Sequence, residues 1–140
     1  MAPGASNKEA PSASRVIFTF DTGMLIALER RKARATQAFR AIVRRGLLPV
    51  VPAVVYVEWW RGRSDVREEI LAAVVVEDMP PLLCRAAGEA LAAVKGASLV
   101  DAVVMASAAL RGGGIVYTSG GHAPRVESAH HVERHFAHGR

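Results

Sequence analysis

Short, densely apolar runs alternate along this chain with longer stretches whose apolar residues recur every three or four positions. Val16–Phe20 is β-branched or aromatic at nearly every position, the composition of a buried strand. Gly23–Arg31 then places Met24, Leu25 and Leu28 on one side, as a helix capped by Asp21 or Thr22 would. Ala33–Arg45 sets Ala38, Ala41, Ile42 and Val43 against Arg34, Arg40, Arg44 and Arg45, and Gly46 stops it. Leu47–Pro52 reads as a second strand, and Pro52 suits the first turn of the helix AVVYVEWWRG, with Glu58 in its middle. SDVREEILAAV is helical behind a Ser64 cap, and Ala73–Met79 is a third strand. Two more helices follow, one between Pro80 and Gly96 and one over Ser98–Arg111. Gly114–Ser119 is the last clear strand.

The resulting order, β-α-α-β-α-α-β-α-α-β, predicts one α/β domain with a mostly parallel central sheet of four or five strands and helices on both faces. Residues 1–14, rich in Ala, Pro, Ser and Gly, read as a disordered tail or an over-extended start; the domain is expected over 15–140. From Gly120 the chain is polar and holds all five histidines; a helix fits there, but no apolar strand follows it, so a frayed C-terminal segment is expected.

Charge narrows the partners. A net charge of +5 and a pI near 10.1 favour an anionic partner such as nucleic acid, or simply make a basic soluble surface. Cys84 is the only cysteine, which excludes an intramolecular disulfide and fits a reducing cytoplasm; Leu82, Leu83 and Ala86 around it suggest a buried, inert thiol. No apolar stretch approaches the roughly 20 residues of a membrane span, so no membrane role is expected.

Three acids interrupt apolar surroundings: Asp21 in FTFDTG, Glu58 in VYVEWW and Asp101 in SLVDAVV. In an open α/β sheet, ligands bind beyond the carboxyl ends of the strands. Asp21 falls at that end of the first strand, Glu58 just past the second, and Asp101 in the first turn of the helix before the last. Each also has a plain structural role open to it, Asp21 as a helix cap and Asp101 as the acid of a capping box with Ser98. Their convergence on one sheet edge favours a shared site, and buried carboxylates there need a cation, a donor or a proton.

Asp21 in DTGMLIALER, Glu58 in VPAVVYVEWWRG, Asp101 in LVDAVVMASA and the closing IVYTSG together resemble the ordered motifs of the PIN-domain family, in particular the VapC-like toxins of bacterial toxin–antitoxin pairs. The resemblance spans roughly Val16 to Ser119. It implies a Mg²⁺- or Mn²⁺-dependent ribonuclease in which Asp21 and Asp101 hold the metal and Glu58 completes the acidic cluster, these three being the catalytic set. Thr118 and Ser119 are secondary candidates. It also implies an RNA substrate, a cognate antitoxin and a homodimer. One departure matters: where the family usually carries a further acid after the last strand, this chain reads Thr118, Ser119, Gly120. Ser119 holding a metal-bound water, or Glu127 or His122 swinging in, are the available substitutes. The runner-up is therefore a catalytically impaired PIN-fold protein that binds antitoxin or RNA without efficient cleavage. A metal-dependent phosphohydrolase on a similar sheet is a third reading, against which FDTG lacks the second Asp two residues on.

Other features carry less. His131 and His135 have the i, i+4 spacing of a two-histidine metal site but no evident helical carboxylate partner. Trp59 and Trp60 read as one core ring and one partner-facing ring, or as stacking platforms for bases. Arg30, Arg31, Lys32 and Arg34 read either as phosphate contacts or as a solvated helix end. Gly112–Gly114 is a turn, not a phosphate loop, since no Lys-Ser/Thr follows it.

Overall fold

The structure, a computed structural model, describes residues 16–118 and the backbone of 121–126. The expectations for residues 1–14, for Ser119 and Gly120, and for Glu127, His131 and His135 lie outside the described residues.

Five strands form one sheet: β1 (Phe18–Phe20), β2 (Val50–Pro52), β3 (Val75–Glu77), β4 (Gly114–Thr118) and β5 (Gly121–Val126), in the spatial order β3-β2-β1-β4-β5. The first four are parallel, with Thr19 opposite both Val50 and Val116, and Val50 opposite Val75. Six helices make the crossovers: α1 (Thr22–Glu29), α2 (Ala33–Arg44), α3 (Ala53–Trp59), α4 (Asp65–Ala72), α5 (Pro81–Ala93) and α6 (Leu99–Leu110). This is the α/β architecture the periodicities predict.

β5 departs from expectation. The segment read as a polar tail without a closing strand pairs antiparallel with β4, Thr118 opposite Gly121 and Gly114 opposite Val126. The register slips by one residue between Ile115 and Tyr117, next to Ala123 and Pro124. Proline has no N–H to give a ladder, so it is tolerated on an edge strand and at such a bulge. Alternation alone could not identify this strand, because GHAPRV shows no apolar/polar alternation in sequence and its place is fixed by backbone pairing with β4.

Both faces of the sheet are covered. Phe18 and Phe20 point to the α2 side, where Phe20 meets Phe39 edge-on at 5.8 Å between centroids and Tyr117 at 5.9 Å. Thr19 points the other way, toward α6, where the Arg111 guanidinium reaches it. Strand alternation makes this division automatic. The core cluster joins Phe18, Phe20, Met24, Leu25, Val51, Val55 and Trp59 to Val104 and Ala108 of α6, and a second cluster joins Leu83 and Ala87 of α5 to Ala102, Val103 and Ala106. Small alanines on α6 let α5 and the sheet approach it from two sides. β4 also passes very close to the chain before β1: a Cβ on Gly114 would stand 2.3 Å from the Ile17 carbonyl oxygen, so only glycine fits there.

Several local expectations shift. α1 ends at Glu29 and α3 at Trp59, each shorter than the periodicity predicts, and Leu47 and Leu48 precede β2 rather than belonging to it. On α2 the core face is Ala35, Ala38, Phe39 and Ile42, while Ala41 and Val43 are exposed. Cys84 is exposed, not buried. α5 buries Leu83 and Ala87 one turn apart, which turns Cys84, Gly88 and Ala92 to solvent on the next stripe, with Sγ donating to the Met79 carbonyl at 3.5 Å.

Candidate functional site

β1 is only three residues long, and the chain leaves it directly into α1. Asp21 stands at that junction. Its backbone N–H donates to the Tyr117 carbonyl of β4 at 3.2 Å, which fixes the residue against the neighbouring strand. Its side chain caps α1, with Oδ1 accepting from the Met24 N–H at 2.9 Å. The capping reading of Asp21 is thus correct, and Thr22 is the first helical residue rather than the cap. Capping occupies one carboxylate oxygen of two.

A cap near a helix N-terminus ordinarily holds its charge easily. Asp21 does not: its carboxyl is raised from 3.8 to about 6. Burial is the largest cause, followed among the raising influences by the charge of Asp101 and then that of Glu58; the hydrogen bonds from the Met24 N–H and its own N–H pull the other way without prevailing. Asp21 therefore feels the charges of the other two acids singled out in the sequence, each on a different element.

They are not equivalent. Asp101 is the third residue of α6, exposed, its N–H donating to the Ser98 Oγ at 3.0 Å in the forward half of the expected capping box. Glu58 is exposed beside Val57, which is itself 73% exposed. The expectation that apolar surroundings bury all three carboxylates holds for Asp21 alone, because α3 turns Val55 and Trp59 inward and leaves the intervening Val57 and Glu58 outside.

A hard divalent cation suits this donor set in kind: every candidate ligand is a carboxylate oxygen. Asp21 is a half-buried acid whose carboxyl desolvation, and then repulsion, raise to about 6. Beside it Thr22 Oγ1 is buried without a hydrogen-bond partner among the described residues. Among the described residues, no group of three or more His, Cys, Asp or Glu side chains stands ready to hold an ion. Mg²⁺ in general is held by one or two carboxylates, with waters and substrate oxygens completing its shell. Thr118 ends β4 on the wall of the cavity that also reaches Gly23, so it lies close to the start of α1.

Two polar clusters escaped sequence reasoning. Glu77 of β3 accepts from Ser107 and from the Arg111 guanidinium, which also donates to Ser107 Oγ at 2.6 Å and Thr19 Oγ1 at 2.6 Å. On the other side, Glu29 accepts from Trp59 Nε1 at 3.0 Å and pairs with Arg67 at 2.7 Å, tying α1 to α3 and α4. A signal existed for the first: Thr19 and Ser107 are lone polar residues in apolar elements, and Arg111 follows Ser107 by one helical turn. Of the two tryptophans, Trp59 is the core ring, and Trp60 is half-buried against it and Tyr56. No protein-family model, no curated protein and no solved structure matches this chain.

Proposed function

We propose that the protein is a divalent-metal-dependent RNA endonuclease of PIN type, acting as the toxin of a toxin–antitoxin pair. The observation that carries this reading is Asp21: a carboxyl at the end of a central parallel strand, lifted to about 6 by burial and by the charges of Asp101 and Glu58. Asp21 and Asp101 would hold Mg²⁺ or Mn²⁺, with Glu58 beside them. When bound, such an ion lowers the pKa of a water and neutralises phosphate charge. Within the chain, the Met24 N–H and the Tyr117 carbonyl orient Asp21. The basic surface favours RNA as the anionic substrate. A cognate antitoxin, a homodimer and a cytoplasmic location complete the proposal.

The test is incubation of the purified chain with total RNA in Mg²⁺, in Mn²⁺ or in EDTA. Fragmentation in either metal but not in EDTA supports the reading; identical patterns in all three remove it. Growth arrest on expression, relieved by the product of the adjacent upstream reading frame, supports the toxin part.

A second reading has its own observation. Gly120 occupies the place where the family resemblance expects an acid, and no three-ligand group stands among the described residues. On that reading the protein binds RNA or antitoxin and cleaves poorly. Gly120→Asp discriminates the two: a large gain in cleavage marks an impaired site, while unchanged cleavage marks a site already complete.

A further inference from the structure

We propose that the turn joining α1 to α2 is a phosphate-binding knuckle for single-stranded RNA, using Arg30, Arg31, Lys32 and Arg34, and that the cavity beside it leads the strand to Asp21. This rests on the nuclease reading for its substrate, but not for its geometry.

The first observation is charge. Residues 30–45 hold seven of the chain's 18 Lys and Arg and no acid. Arg30, Arg31, Lys32 and Arg34 are all exposed, and the ion pairs among the described residues use other cations, Arg63, Arg67 and Arg111. Four neighbouring uncompensated cations repel one another unless an anion lies across them.

The second observation is backbone conformation. α1 ends with the Arg31 N–H donating to the Leu28 carbonyl at 3.0 Å and the Lys32 N–H to the Ala27 carbonyl at 2.9 Å. That is a Schellman ending, whose reversing residue must adopt positive φ. α2 and α6 end in the same way and use Gly46 (φ 75°) and Gly112 (φ 91°) there. α1 uses Arg31 at φ 57°, the one positive-φ residue other than glycine among those described. A side chain is strained in that region, and strain kept where glycine would fit points to a task for the side chain.

The third observation is shape. A cavity of about 1040 Å³ lies between α1, α2 and the end of β4. Arg30, Lys32 and Arg34 line it, Met24, Ile26 and Ala38 give it apolar surface, and Gly23 and Thr118 bring it to the neighbourhood of Asp21. Cations beside apolar surface suit a ligand with both phosphates and exposed flat bases. A single strand has both, whereas a duplex hides its base faces.

The test measures binding of a short fluorescein-labelled single-stranded RNA to the full chain by anisotropy, in EDTA and over a salt series, so that cleavage plays no part. Arg31→Gly should melt no lower than wild type yet bind several-fold more weakly, while Arg31→Lys restores binding. The triple variant Arg30→Gln, Lys32→Gln, Arg34→Gln should lose about tenfold or more in affinity. Its salt slope should become shallower by about 0.7 per contact removed. Unchanged affinity and slope in the triple variant would overturn the proposal, as would poly-glutamate competing as well as RNA. Binding that behaves as described without any metal-dependent cleavage supports the knuckle and removes the nuclease reading. Cleavage by a triple variant with wild-type binding removes the knuckle and leaves the nuclease reading standing.

Discussion

The Met24 N–H donates to Asp21 Oδ1 at 2.9 Å, so the acid at the centre of the site is also the cap of α1. The two roles can be separated by chemistry. Asparagine caps as well as aspartate, but carries no charge. Asp21→Asn should therefore be at least as stable as wild type at neutral pH, and Asp21→Ala should be about 1 kcal/mol less stable than Asp21→Asn through the missing cap. Urea unfolding of the three proteins checks this. Equal loss in both variants would show that the charge, not the cap, contributes the stability.

The raised carboxyl of Asp21 makes stability depend on pH in an unusual direction. From about pH 4 to about 6 the folded chain keeps a proton that the unfolded chain, at 3.8, has released. This contribution is fully present below about pH 4 and is lost as pH climbs through about 6. An undiscounted shift of this size is worth about 3 kcal/mol, and solvent screening of a half-exposed group reduces it to about 1–2 kcal/mol. The difference in unfolding free energy between wild type and Asp21→Asn, measured across that range, isolates it from other groups. A flat difference contradicts the assignment.

Glu77 and Arg111 form one of two well-enclosed ion pairs among the described residues, their side chains 28% and 16% exposed. Glu77→Ala leaves the guanidinium facing Thr19 and Ser107 hydroxyls with no counter-charge. The expected loss is about 2–3 kcal/mol by denaturant unfolding. Changing both partners to apolar residues, Glu77→Leu with Arg111→Met, should cost less than the single change.

Cys84 should react with a thiol reagent in the native protein, without denaturant, because the apolar stripe of α5 passes one position away from it. Labelling that waits for unfolding would place the thiol inside.

The parallel part of the fold was legible because each strand is a compact apolar run and each helix shows its period. β5 was not, since GHAPRV is polar and contains a proline, and what places it is its backbone pairing with β4. At the site, Asp21 was legible from its place at the end of FTF, and its carboxyl is raised mainly by burial and then by the charges of Asp101 and Glu58. The exposure of Glu58 was not: VYVEWW looks apolar all round, and only the helix rotation that buries Val55 and Trp59 decides which residues face water. Cys84 misled for the same reason, one residue away from Leu83. The polar tie through Thr19, Ser107, Glu77 and Arg111 joins residues up to 92 positions apart, so the local signals at Thr19 and at Ser107 and Arg111 mark the members without pairing them.

The most direct test of the metal-dependent nuclease reading is RNA cleavage by wild type and Asp21→Asn in Mg²⁺ or Mn²⁺, with both proteins shown to be folded under the assay conditions and to have the same RNA affinity. The account predicts metal-dependent cleavage by wild type and a loss of at least a hundredfold, about 3 kcal/mol of transition-state stabilisation, in the variant. Equal cleavage by the two would contradict it, because a side chain that only caps α1 is replaced by asparagine without consequence.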